Sequence, residues 1–211
     1  MTYHRRRLPP APVARAHGLR SENSLRCSHY SRVSYYRRRL PHWHPENAAL
    51  FLTWRLHGSL PRHSEFLVNP TQTEGQRFAA LDRHMDRAFT GPIWLKDPRI
   101  AGAVQNTLLA GAEQWKLFDL YAWVIMANHV HLLLEPHKKA AEITCTLKSA
   151  SSREANRILG RSGEAFWQRE SYDRWVRDRK EFDKIRYIEW NPVSAGLVDQ
   201  AEDWPWSSAS E

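Results

Sequence analysis

The stretch Tyr121–Pro136, YAWVIMANHVHLLLEP, constrains this chain more than any other segment. Alternate side chains of a β-strand share a face, so His129 and His131 would project together while Val130, Leu132 and Leu134 point the other way, into a core. Two imidazoles side by side on an apolar sheet are candidate metal ligands, since neutral imidazole binds divalent cations. The plainer alternative is a pair of half-exposed surface histidines. The spacing alone does not choose between them.

The flanking sequence supplies further elements. Asn47 to Leu56 reads as a first strand, and residues 71–89 read as a helix inserted before the core helix. Pro98 opens a helix to about Trp115, with Ile100, Val104, Leu108 and Ala112 at four-residue steps. Leu117 to Met126 is a strand, and Asn128 to Glu135 continues it or pairs with it after a kink at Ala127 and Asn128. A helix follows from about Ala140 to Leu159, broken by Gly160. Ala165 to Val176 is a short strand or strand-turn, and Asp178 to Trp190 is a helix that Pro192 stops. Strands and helices alternate but the strands are few. One small sheet covered by helices on one face is the expectation.

The charge is unevenly placed. The net charge is +8, and residues 1–46, with ten Arg and two Glu, hold all of the excess. Residues 1–33, rich in Arg, Pro and Ser without apolar periodicity, read as a disordered basic extension, and residues 34–211 as one domain with a helical insertion near 61–91. A basic arm favours nucleic acid through counterion release; a solvated tail, or a start codon assigned too early, accounts for it equally well. No apolar run is long enough to span a bilayer, and the basic amino terminus lacks an apolar signal core. The two cysteines, Cys27 and Cys145, give neither a zinc spacing nor a disulfide framework, so a reducing cytoplasm is expected.

On a helical wheel of Asp178–Trp190, Phe182, Ile185 and Ile188 form the apolar stripe and Tyr187 falls roughly opposite. Asn191 stands four residues beyond Tyr187 on the same face, with Lys184 nearby. That leaves the Tyr187 hydroxyl free between an amide and an ammonium. An ordinary exposed tyrosine and an Asn-Pro helix end are the plain alternatives.

Three motifs, VIMANHVHLLLEP, FWQRESYDRWVRD and RYIEWNPVSAGLV, in this order and spacing, resemble the HUH-type single-tyrosine transposases, and most the REP-associated tyrosine transposases of bacteria. The resemblance runs from about Tyr35 to the DWPWSSA near the carboxyl terminus. It implies an α+β fold, an antiparallel sheet of ferredoxin-like or RRM-like type with helices packed on it. It implies that His129 and His131 bind a divalent metal, Mg²⁺ or Mn²⁺, that Tyr187 is the nucleophile, and that Asn191 is a polar third ligand. One departure is Ala127, where the family usually has proline.

The activity so implied is metal-assisted cleavage and rejoining of single-stranded DNA at hairpin-forming palindromes, through a 5′-phosphotyrosine. Expected DNA contacts are Arg37, Arg38, Arg39, Lys184 and Arg177, and some of the ten Trp could stack bases. The protein would work in the bacterial cytoplasm, on the nucleoid when bound to DNA, as a monomer or homodimer. A domesticated hairpin-binding protein that does not cut is the alternative, and a metal-dependent phosphoesterase with a deep pocket a third. Tyr172 is the rival nucleophile, but neighbouring Asp173 would raise its pKa.

Overall fold

The computed structural model describes residues 49–60, 72–87, 90–176 and 180–211. The basic extension, Arg37 to Arg39 and Arg177 lie outside the described residues.

Four strands, β1 (Ala49–Arg55), β2 (Phe118–Ile125), β3 (His129–Pro136) and β4 (Tyr172–Val176), form one sheet in the order β2-β3-β1-β4, every neighbouring pair antiparallel. Helices α2 (Pro98–Glu113) and α3 (Ala140–Leu159) connect β1 to β2 and β3 to β4, which is the β-α-β-β-α-β plan of ferredoxin-like folds. Two helices are additional: α1 (Glu74–Arg87), between β1 and α2, and α4 (Lys180–Ser194), after β4. No helix among the described residues is long and apolar enough to cross a membrane.

Strand alternation divides the apolar residues between two faces. Leu50, Leu52 and Trp54 of β1, with Val130, Leu132 and Leu134 of β3, pack against Ile100, Val104 and Leu108 of α2 and Ile143 and Leu147 of α3. Ala49, Phe51, Val124, Leu133 and Val176 face the other way, toward Phe78 of α1 and Ile188 of α4. Helices therefore cover both faces of the sheet, not one, because α1 and α4 occupy the side that α2 and α3 leave open. Tyr121 is the extra residue of a bulge in β2, between the pairs Leu120–Leu134 and Ala122–Leu133.

Local chemistry sets the element ends. Thr73 and Gln76 exchange hydrogen bonds at the start of α1: the Gln76 amide donates to Thr73 Oγ1 at 3.3 Å, and the Thr73 amide to Gln76 Oε1 at 2.9 Å. This is a capping box. Asp97 caps α2, accepting from the Arg99 amide, with Pro98 at the first helical position. A two-residue turn at Ala127 and Asn128 closes the β2–β3 hairpin, with the Met126 amide donating to the His129 carbonyl at 2.9 Å. Gly160 ends α3 in the left-handed region, at φ 67°.

Pro192 does not stop α4. The helix continues to Ser194 with Pro192 inside it, and Gly196, at φ 68°, follows its end. Proline removes only its own N–H, so later residues keep their acceptors; the Ala195 amide donates to the Asn191 carbonyl at 2.9 Å. The carboxyl-terminal segment then covers the open edge of β2: Ser207 bridges Val124, and the Ile125 amide donates to the Trp206 carbonyl at 2.8 Å.

Candidate active site

His129 and His131 sit on β3, an inner strand, facing α1 and α4. Both are 0% exposed, so neither is a half-exposed surface histidine. Each is oriented through Nδ1. The Asn128 amide nitrogen donates to the Met85 carbonyl at 3.0 Å, which turns its oxygen toward His129 Nδ1 at 2.7 Å. That fixes the proton on Nδ1 and leaves the Nε2 lone pair of His129 for an electrophile. Thr53 Oγ1, directly across from His131 on β1, lies 2.7 Å from His131 Nδ1.

A carboxylate that the sequence did not single out completes the cluster. Asp82 of α1 is 2% exposed; its Oδ1 lies 3.1 Å from His131 Nε2 and 3.7 Å from His129 Nε2. Asp86, one turn later, places Oδ1 3.6 Å from His129 Nε2. Asp82, His129 and His131 could together hold a metal ion. Asp82 Oδ1, Asp86 Oδ1, His129 Nε2 and Asn191 Oδ1 are all buried without a hydrogen-bond partner. Orphaned polar atoms are rare in folded interiors, and the two carboxylate oxygens gathered about His129 Nε2 are what a cation would satisfy.

Tyr187 reaches the same carboxylate from α4. Its hydroxyl donates to Asp82 Oδ2, and its ring centroid lies 6.0 Å from that of His131. The hydroxyl is therefore engaged, not free as the wheel suggested. Ile188 is buried and Ile185 packs against the same cluster, as the expected stripe has them, and Tyr187 and Asn191 turn inward as well. Asn191 is buried, with its amide nitrogen 3.4 Å from Asp82 Oδ2 and 3.5 Å from His131 Nε2. The Lys184 ammonium lies 4.7 Å from the ring centroid of Phe51 and 5.1 Å from that of Tyr187.

The electrostatics follow from burial and proximity. Burial pushes the Asp82 carboxyl up, but the nearby His131, then His129 and Tyr187, hold it well below the usual carboxylate range. Burial, then the charge of Asp82, raises Asp86 to about 7. Burial lowers His129 to about 3, so it is a neutral imidazole at physiological pH. Burial and the Asp82 charge raise the Tyr187 phenol above its ordinary value, whereas burial and nearby Arg174 lower the Lys184 ammonium.

The structure thus brings Tyr187, His129, His131, Asn191 and Lys184 together. Tyr172 shares this face of the sheet but stacks on Phe78, ring centroids 4.2 Å apart. Asp82 and Asp86 were missed because α1 reads as an insertion. The available signal was a carboxylate within an apolar stripe: Asp82 lies four residues after Phe78 and three before Met85, both buried.

The site thus sets a tyrosine-bearing helix over two buried histidines on an antiparallel sheet, and comparison with known proteins bears on the class of protein in which such a site occurs. Residues 96–191 match the family described as Transposase IS200 like. Within that resemblance, a proposed REP-associated tyrosine transposase of Haemophilus influenzae (strain ATCC 51907 / DSM 11121 / KW20 / Rd) is 32% identical over 104 residues. The aligned part covers 43% of this chain and 58% of the relative's length. The structure of a REP-associated tyrosine transposase bound to a REP hairpin covers 83% of this chain and 82% of its own, with a TM-score of 0.47 and 19% identity. The resemblance carried by the three motifs is borne out. The matched family segment contains both histidines, Tyr187 and Asn191, but neither Asp82 nor Asp86.

Proposed function

We propose that this protein is a DNA transposase that cleaves and rejoins single-stranded DNA at hairpin-forming palindromes, with Tyr187 as nucleophile. The observation that carries the reading is the convergence of the Tyr187 hydroxyl and the two buried imidazoles on one carboxylate, Asp82. The similarity to REP-associated tyrosine transposases supports the substrate class.

The Tyr187 oxygen bonds to the scissile phosphorus while the bond to the 3′ oxygen breaks, giving a 5′-phosphotyrosine and, after protonation, a free 3′-hydroxyl. The phenol must shed its proton first, against burial and the charge of Asp82. Lys184, over the Tyr187 ring, favours the phenolate and supplies a cation for the DNA backbone. A divalent cation, Mg²⁺ or Mn²⁺, at His129 and His131 with Asn191 beside them would polarise a non-bridging phosphoryl oxygen and offset charge at the nucleophile. The covalent bond conserves the phosphodiester's energy, so rejoining reverses the same exchange without ATP. Histidines and tyrosine meet within one chain, so a single copy carries the reacting groups. The place of work is the bacterial cytoplasm, where chromosomal hairpins form.

The test combines the full chain, Mn²⁺ and labelled hairpin oligonucleotides, and looks for an adduct that survives SDS. Wild type should form it and Tyr187→Phe should not. An adduct of equal yield with Tyr187→Phe removes the assignment, and hairpin binding with no adduct across metals and sequences supports the non-cleaving alternative.

A further inference from the structure

Helix α1 lies before the segment that matches the transposase family, yet its side chains close the polar cluster. Asp82 and Asp86, four residues apart, share one face of α1. His129 Nε2 is fully buried, has no hydrogen-bond partner and is aimed between their Oδ1 atoms, at 3.7 and 3.6 Å; His131 Nε2 lies 3.1 Å from Asp82 Oδ1.

These separations have a simple geometric reading. Donors about 2.1 Å from a divalent ion stand about 3.0 Å apart along the edge of an octahedron and about 3.4 Å apart in a tetrahedron. The observed spacings lie close to both values, so Asp82, His129 and His131 would close on one ion with small adjustments, and Asp86, 3.6 Å from His129 Nε2, would join them by a larger turn of its side chain. Two buried carboxylates packed against each other are costly unless a cation compensates them. No lysine or arginine forms an ion pair with Asp82 or Asp86 among the described residues, Lys184 acting on Asp82 only at longer range, so a bound divalent ion would supply charge that the cluster lacks.

We propose that Asp82 and Asp86 are ligands of the cation at His129 and His131, which makes α1 a metal-binding element of the active site. The inference rests on the reading of the two histidines as metal ligands. Asn191 then stands beside the coordination sphere, donating to Asp82. Two carboxylates with two imidazoles suit Mn²⁺ and leave positions for a phosphate oxygen and water. Because Asp82 also accepts from Tyr187, the same carboxylate would register the nucleophile against the ion.

The experiment is Mn²⁺ titration of the full-length, DNA-free protein, read by the electron paramagnetic resonance signal of free Mn²⁺. Asp82→Asn and Asp86→Asn should each weaken binding at least tenfold, His129→Ala and His131→Ala likewise, and Asp82→Glu should recover part of the loss. Circular dichroism identifies any variant that fails to fold; the near-isosteric Asp86→Asn then carries the test. If the histidine variants lose Mn²⁺ while both aspartate variants bind like wild type, the proposal is overturned and the metal reading of the histidines survives. If no variant changes the affinity, both fall.

Discussion

His129 shows how far a single side chain's chemistry depends on its neighbours. Asn128 sets its tautomer, burial keeps it neutral, and Asp86 beside it is pushed the opposite way. Their linkage to folding can be signed. His129 titrates near 3 when folded and near 6.5 when unfolded. Between those values the unfolded chain binds the extra proton, so stability falls as pH falls. Asp86 titrates near 7 when folded and near 3.8 when unfolded, so in that window the folded chain holds the extra proton and stability falls as pH rises. Between about 3.8 and 6.5 the two effects oppose each other. Metal-free wild type should therefore be nearly flat there, while Asp86→Asn should lose up to about 1.4 kcal/mol per unit of acidification. Urea unfolding in chelator across that range measures both slopes; parallel profiles would refute the pairing.

At the scale of elements, pattern and position separate. Helices α2 and α3 lie where their four-residue apolar steps, Pro98 and Gly160 put them, because each carries its own start, stop and buried stripe. Helix α4 was legible as a helix with Ile185 and Ile188 inward, but neither its end nor the inward turn of Tyr187 and Asn191 was. The wheel finds an apolar stripe, whereas α4 turns a mixed face inward because the sheet beneath it presents polar groups, Thr53 and the histidines. A close approach elsewhere is equally invisible in sequence. Gly111 of α2 abuts α3 and β2, and a β-carbon there would lie 2.9 Å from both Leu147 Cδ2 and Phe118 Cζ. Gly111→Ala, otherwise favourable in a helix, should cost about 1–3 kcal/mol by overpacking. Chemical denaturation checks this through a lower midpoint at unchanged slope; an unchanged or higher midpoint would mean that the core yields.

For the whole molecule, the sheet separates two tasks. Its α2/α3 face is an apolar core, while its α1/α4 face mixes packing with a buried ionisable cluster. A divalent ion that binds only the folded chain should stabilise it by about 2.7 kcal/mol at a hundredfold excess over its dissociation constant. Melting with and without Mn²⁺ should show a clear upward shift in wild type and none in the His129→Ala, His131→Ala double variant. A similar shift in both proteins would place the ion elsewhere.

Sequence by itself determined the parts that obey short-range rules: the strand carrying both histidines on one face, helices α2 and α3 with their Pro98 start and Gly160 stop, and the three motifs that carry the family resemblance. The tertiary structure alone decided that the histidines are fully buried, that α1 delivers Asp82 and Asp86, and that the Tyr187 hydroxyl already has an acceptor. The reason is physical. Periodicity shows which side chains of one element share a face, but not which elements will meet. Asp82 and Tyr187, 105 residues apart, are joined only when α1 and α4 dock on the same side of the sheet.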